Sequence, residues 1–317
     1  MYVNLDQLSS WENNGYVFLP ALLSREELLA AQKELALIYP SGEDFYRDRD
    51  PVRNSRYRSS GNFRDLGFYT SQGELSQCRE QFLGLVDFPW TGRALDRLVV
   101  HPNLLGAARE FLGVDEIQIY QAQLWAKYTG AANYAQPLHL DYCTHSLLTP
   151  DPDAPMQQIE MFLYLHDVTE ELAPTHVVSR NLTKDIPVSP HRVWPDERSD
   201  LYEEAVSFPG VAGSVLAYAP DVWHRGVDLT QVGGSRVWMN ISYKCVDCDW
   251  LGLQSFVRAG LSVQWSEFVG SCTPDELAVF GFPKPGHPVY TKKVLEGMSL
   301  RYPKLNLQPW FSALKNS

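Results

Sequence analysis

The sequence predicts a mainly β fold with flanking helices, in the form of a double-sheet barrel of the jelly-roll (cupin-like) type with helices packed outside. Two observations carry this expectation. From Ile117 onward the chain is a succession of short β-rich segments separated by Pro, Gly and Asp turns. Helical signals gather ahead of residue 113 and do not alternate with the strands. Without a strand–helix–strand rhythm the strands must bury one another, as two packed sheets do.

The elements follow in chain order. Trp11 to Gly15 reads as a short helical turn, and Tyr16-Val17-Phe18-Leu19-Pro20 as a strand. Ser24-Arg25-Glu26-Glu27 is a capping box, a Ser at the N-cap with a Glu three residues on. The helix it opens carries Leu28, Ala31, Leu35 and Ile38 at helical spacing and stops before Pro40. Between residues 41 and 80 the arginines Arg47, Arg49, Arg53, Arg56, Arg58 and Arg64 alternate with Asp48, Asp50 and Asp65. A solvated surface loop and a lid whose arginines meet an anionic substrate are both open readings there, since Arg suits bidentate recognition of carboxylate or phosphate. His101-Pro102-Asn103 leads into a second helix ending near Leu112-Gly113. Strands are expected at Ile117 to Lys127, Gln158 to Leu165, Val206 to Phe208, Ser214 to Tyr218 and Arg236 to Lys244. Thr273-Pro274-Asp275-Glu276 opens a further helix, and Phe280 to Pro288 reads as a rigid turn packed on the barrel. With neither repeat nor linker, residues 1–317 read as a single domain. It divides into a helical part to about residue 113, a jelly-roll core of about 114–250 and an extension of about 251–317.

Composition narrows the function. A formal net charge of -11 lacks the basic footprint of nucleic-acid or anionic-membrane binding. Nor does any apolar run approach the roughly 18 residues of a membrane span. The first residues show no signal peptide, and five scattered cysteines suit a reducing compartment, so a cytoplasmic location is expected. The partner expected is a small molecule.

The chemistry gathers at Pro137-Leu138-His139-Leu140-Asp141-Tyr142. Residues two apart on a strand share a face, so His139 and Asp141 converge. Trp223-His224 follows the strand ending at Tyr218 and offers a second imidazole. Two His and one carboxylate with open positions opposite form the facial triad of non-haem Fe(II) oxygenases. Arg236, at the start of the strand after Gly233-Gly234, is placed to hold a carboxylate through two parallel N–H bonds. As isolated residues each has a structural reading. His145, His166 and His176 read as hydrogen-bonded histidines, with His145 an alternative ligand. Cys245-Val246-Asp247-Cys248 lacks the second Cys pair of a zinc site and the setting of a redox pair.

In their order these motifs resemble the phytanoyl-CoA dioxygenase family of Fe(II)/2-oxoglutarate oxygenases. The resemblance runs from Gly15-Tyr16-Val17-Phe18-Leu19-Pro20 through the Ser24 helix, the Gln121 to Lys127 strand and His139-Leu140-Asp141. It then takes in Gly213-Ser214-Val215-Leu216, Trp223-His224 and Arg236. It implies a double-stranded β-helix core with His139, Asp141 and His224 as iron ligands. It also implies that Arg236 holds the distal carboxylate of 2-oxoglutarate, and that Gln121 and Lys127 line the cosubstrate pocket. The cofactors implied are Fe(II), 2-oxoglutarate and O2. The reaction implied is hydroxylation of a metabolite C–H bond with release of succinate and CO2. Relatives that halogenate have a small residue in place of the carboxylate; Asp141 fills that position. The chain departs from the family at Glu171 to Arg180, where many members carry a Gly-rich turn and a Pro-Gly-Ser-His segment. That departure puts the substrate entrance in doubt rather than the metal site. Two rival readings are a cupin-like metal isomerase or hydrolase and a non-catalytic β-sandwich binding protein. Arg236 after His224 counts against the first, and an intact triad against the second.

Overall fold

The computed structural model describes residues 1–48, 83–131, 134–149, 155–184, 186–187 and 191–315. Arg49, Arg53, Arg56, Arg58, Arg64, Asp50, Asp65 and Cys78 lie outside the described residues, as do the side chains of Arg47 and Asp48.

Helix α1 (Leu5–Asn14) begins earlier than the expected turn, because Asn4 and Gln7 form a capping box with amide rather than Ser/Glu chemistry. It ends at Gly15, whose φ of 74° is the left-handed conformation that glycine accepts at no steric cost. Strand β1 (Tyr16–Leu19) follows, then α2 (Arg25–Leu35), opened by the expected Ser24/Glu27 box and burying Leu28, Ala31 and Leu35. After α3 (Gly42–Asp48) and β2 (Leu83–Asp87) come α4 (Arg93–Leu98) and α5 (Pro102–Leu112). His101 caps α5 with its own imidazole, and Gly113 ends it.

The β region holds β3 (Ile117–Tyr128), β4 (Leu138–His139), the one-turn helix α6 (Tyr142–His145) and β5 (Gln158–Tyr164). It continues with β6 (His176–Val177), β7 (Arg192–Val193), α7 (Ser199–Glu203), β8 (Val215–Tyr218), β9 (His224–Arg225) and β10 (Ser235–Cys245). One expected strand is absent. Val206 to Phe208 makes only an isolated bridge, Val206 to Val177. Pro209, which has no N–H for a ladder, follows at once, and Phe208 stacks on Phe18 instead. Helices α8 (Val263–Gly270), α9 (Pro274–Ala278), α10 (Lys292–Arg301) and α11 (Gln308–Lys315) complete the chain.

The strands form a six-stranded sheet, β1-β8-β5-β10-β3-β2, and a four-stranded sheet, β6-β9-β4-β7. All pairings are antiparallel. This is the double-stranded β-helix, or jelly-roll, core. Helix α5 packs outside the large sheet, against β5 and β10. The C-terminal helices close over Phe88, where Phe256, Trp265, Phe268 and Phe280 form an aromatic cluster. Phe280 thus packs on the barrel as its rigid turn suggested. A second, smaller core of Leu138, Leu140, Val178, Val193, Leu201 and Trp223 lies under the four-stranded sheet.

Candidate metal centre

The second core explains why His139 and Asp141 converge. Leu138 and Leu140 are buried in it at 0% and 1% exposure, and strand alternation then turns His139 to the opposite face. Trp223, buried in the same core, does this for its neighbour His224. His139 and His224 are direct register partners on β4 and β9, with ring centroids 4.3 Å apart. Asp141 caps α6 immediately beyond β4. Its Oδ1 lies 3.7 Å from Nε2 of His139 and its Oδ2 3.2 Å from Nε2 of His224. One ligand atom from each residue falls within 4.8 Å of the others, which marks this trio as a group able to hold a metal.

The tautomers follow from the neighbours. Nδ1 of His139 lies 2.9 Å from the Pro137 carbonyl, and Nδ1 of His224 lies 2.9 Å from the Val222 carbonyl. A carbonyl only accepts, so each Nδ1 carries the hydrogen and each Nε2 faces Asp141; protonated His224 donates from Nε2 to Oδ2, and the neutral rings leave Nε2 lone pairs for a metal. Tyr218 donates to Oδ2 of Asp141 at 3.0 Å and orients it. Burial, with His224 beside it, pushes His139 down to about 4. For His224 burial works in the same direction, but the charge and hydrogen bond of Asp141 outweigh it and raise the imidazole. Burial would raise Asp141; the two imidazoles, His224 foremost, hold it below the usual carboxylate range instead.

Because Leu140 holds the strand from beneath, Leu140→Ala is expected to cost about 2–5 kcal/mol of unfolding free energy. Urea denaturation of the metal-free protein measures it. A loss under about 0.5 kcal/mol, the range of ordinary surface substitutions, would show that this core does not hold the strand.

Arg236 lies on the inner face of the large sheet, 4% exposed and opposite Lys127 in register, itself 4% exposed. Its Nη1 donates to the Leu172 carbonyl at 2.7 Å, and its Cζ stands 4.1 Å from the centre of the Trp238 ring. Its buried Nε and Nη2 have no hydrogen-bond partner among the described residues. Burial pulls Arg236 down to about 9, still cationic at neutral pH, and burial with the nearby Arg236 lowers Lys127 well below its ordinary value. A buried guanidinium with unsatisfied N–H groups, opposite a second buried basic side chain in register, fits an anion with carboxylate geometry. Gln121 lies at the far end of this inner face, in register with Ser242, and donates to Gln123 at 2.6 Å. The row of Tyr218, Glu160, Ser242 and Gln121 therefore adjoins Asp141, while the row of Arg236 and Lys127 marks the other end.

The other candidates fall elsewhere. His145 stands 2.7 Å from the fully buried Glu160 and outside the trio. His166 and His176 are likewise outside it, and burial lowers both. Burial raises Cys245 and Cys248, which keeps them as thiols. Tyr142 is buried and borders a cavity of about 270 Å³ beside α6, shared with Met156, Gln158, Arg180, Asp221 and Trp250. None of the trio lines it.

The segment that departs from the family supplies parts that sequence reasoning did not find. Leu172, whose carbonyl holds Arg236, precedes Ala173 in the left-handed region at φ 58°. Arg180 forms an ion pair with Asp221, with Nε 3.0 Å from Oδ2, and so ties the segment to the turn before His224. Neither contact, nor that of Tyr218, has a local sequence signal.

A jelly-roll core that brings two imidazoles and a carboxylate together, with a buried arginine on the large sheet, is an arrangement suited to a non-haem iron enzyme of the 2-oxoglutarate class. The family model for phytanoyl-CoA dioxygenase (PhyH) matches residues 11–228, more than half of the chain. The chain belongs to the phytanoyl-CoA dioxygenase family, and the cofactors of that family are Fe(II) and 2-oxoglutarate. No curated sequence matches it. Among solved structures it is similar to the non-heme alpha ketoglutarate dependent carbocyclase SnoK from nogalamycin biosynthesis. That match has 18% identity, covers 82% of this chain and 91% of that one, and has a TM-score of 0.55. It is also similar to the epimerase SnoN in complex with Fe3+, alpha ketoglutarate and nogalamycin RO, with 13% identity, 81% and 90% covered, and a TM-score of 0.52. A third is AviO1 from Streptomyces viridochromogenes Tue57, with 13% identity, 79% and 99% covered, and a TM-score of 0.53. At these identities the likeness speaks to the fold.

Proposed function

We propose that this chain is a single-domain Fe(II)/2-oxoglutarate-dependent oxygenase that hydroxylates a C–H bond of a small-molecule metabolite. His139, Asp141 and His224 would hold the iron. Arg236 would take the distal carboxylate of 2-oxoglutarate, with Lys127 beside it and Gln121 at the metal end of the pocket. The observation that carries the reading is the pairing of a three-donor cluster with a buried, incompletely hydrogen-bonded arginine on one barrel interior. An isomerase or hydrolase using the same ligands would have no use for that arginine. When bound, the iron and cosubstrate supply the oxidising chemistry, using O2 and releasing succinate and CO2. The protein's part is to hold the ligand geometry, neutralise the cosubstrate and present the substrate. Its scattered cysteines support a location in a reducing cytoplasm.

The test is anaerobic titration of the protein with Fe(II) and 2-oxoglutarate, followed by a substrate screen read as succinate release and product mass. A visible charge-transfer band, then a product that has gained one oxygen, are the expected results. Iron binding without a band would overturn the 2-oxoglutarate assignment. The carbocyclase and epimerase among the similar structures give the contrasting outcomes. Loss of two hydrogens would indicate ring closure, and unchanged mass epimerisation.

Metal binding should also release protons. With His224 raised and His139 at about 4, the empty trio holds one proton near pH 6, on His224, which the metal must displace. Affinity for Co(II) should therefore rise about tenfold per pH unit up to the His224 pKa and then level off. Isothermal titration at stepped pH tests this. Affinity constant between about pH 5 and 6.5 would show that His224 is not protonated there.

A further inference from the structure

We infer that Glu160, through His145, is a positioning residue for Asp141. Glu160 is 0% exposed, the third residue of β5. Its Oε1 accepts from the Tyr120 hydroxyl and lies 2.7 Å from Nδ1 of His145. Its Oε2 accepts from Nδ2 of Asn240 at 3.0 Å and from the Ser242 hydroxyl. A buried carboxylate costs several kcal/mol unless its lone pairs are satisfied in this way. The sheet itself does not require the charge, because Phe162 and Tyr164 occupy the next inward positions of the same strand.

The geometry shows what the charge holds. Asp141 is the N-cap of α6 and His145 is its last residue, four positions on. Residues four apart lie on one helix face, so a tether on His145 sets the rotation of the single turn that begins with Asp141. The helix end is pinned by backbone as well, with Gly252 N–H donating to the His145 carbonyl at 3.0 Å. Asp141 has a second restraint in Tyr218, and Tyr218 is the register partner of Glu160 on β8. Both side-chain restraints on Asp141 thus start from one row of the large sheet. Glu160 and His145 themselves lie outside the donor cluster.

This inference rests on Asp141 being an iron ligand, and the experiment separates the two. Co(II) affinity and the Co(II) visible spectrum are measured at 25 °C, without 2-oxoglutarate, on wild type, Glu160→Gln and His145→Phe. Circular dichroism confirms that each variant is folded. The expected result is a Co(II) affinity lowered about 10–100-fold in either folded variant, with altered band intensity, the range seen when outer partners of metal ligands are removed. Glu160→Asp, which keeps the charge, should recover part of the loss. A role confined to stability would lower the melting temperature and leave affinity and spectrum at wild-type values; that outcome overturns the inference alone. Should Glu160→Gln not fold, His145→Phe decides by the same readout. Wild type that binds no Co(II) would overturn the ligand assignment and this inference with it.

Discussion

Arg236→Ala is expected to abolish the charge-transfer band of the Fe(II)/2-oxoglutarate complex while leaving Co(II) binding at its wild-type value. Removing one partner from a buried, charge-assisted pair costs about 2–5 kcal/mol, which corresponds to a cosubstrate affinity lowered about 30- to several thousand-fold. Arg236→Lys should not rescue it, since an ammonium lacks the planar fork that matches a carboxylate. The metal-free variant should be no less stable than wild type. The substitution gives up the Leu172 hydrogen bond and the Trp238 contact, but it also removes a buried cation opposite a second basic side chain, and with it N–H groups that lack partners. The check is cosubstrate titration together with thermal melting of the metal-free protein. A folded Arg236→Ala variant that binds 2-oxoglutarate as wild type does would remove this residue from the pocket. The cosubstrate anchor would then have to be sought at Lys127, the other basic side chain of that row.

Asp141→Ala should lower metal affinity by more than about 100-fold, because loss of even an outer partner of a ligand costs about 10–100-fold. It should also reverse the titration of His224. Burial is the largest influence on that imidazole and lowers it; Asp141 leads those that raise it, ahead of the Val222 carbonyl and Glu160, so removing the carboxylate should let burial prevail. The sign for stability follows. In wild type, a raised His224 contributes stability that is full below the unfolded pKa and is lost as pH rises through the folded one. In the variant its folded pKa is depressed, so the metal-free protein should lose stability as pH falls through about 6.5. Imidazole chemical shifts followed against pH in the metal-free proteins measure the change directly. A His224 pKa that stays raised after removal of Asp141 would show that another acid, with Glu160 nearest in influence, governs it.

Much of the site was legible because its chemistry is local. His139 and Asp141 sit two apart around Leu140, which must be buried, and strand alternation read from the sequence sends both donors the same way, although Asp141 itself falls just past β4 at the N-cap of α6. The capping boxes at Ser24 and Thr273 likewise announce their helices within four residues. The exceptions have physical reasons. Helix α1 begins on Asn4 and Gln7, which satisfy the same backbone groups with less distinctive side chains. Val206 to Phe208 has strand composition, but Pro209 denies it a ladder. The two-residue strands β4, β6, β7 and β9 are too short for periodicity to reveal.

By itself, then, the sequence determined the family and the jelly-roll class and marked the three candidate donors and the candidate arginine, because each is carried by residue type and order along the chain. The tertiary structure alone decided what surrounds them. It placed His224 directly opposite His139, brought the Leu172 carbonyl to Arg236, set Tyr218 on Asp141, and set His145 on Glu160, outside the donor trio. These contacts join residues from 15 to 85 positions apart, across strands whose pairing depends on closure of the whole barrel. No local pattern encodes such a partner. Register, burial and the alignment of two sheets select it, and those exist only once the chain is folded.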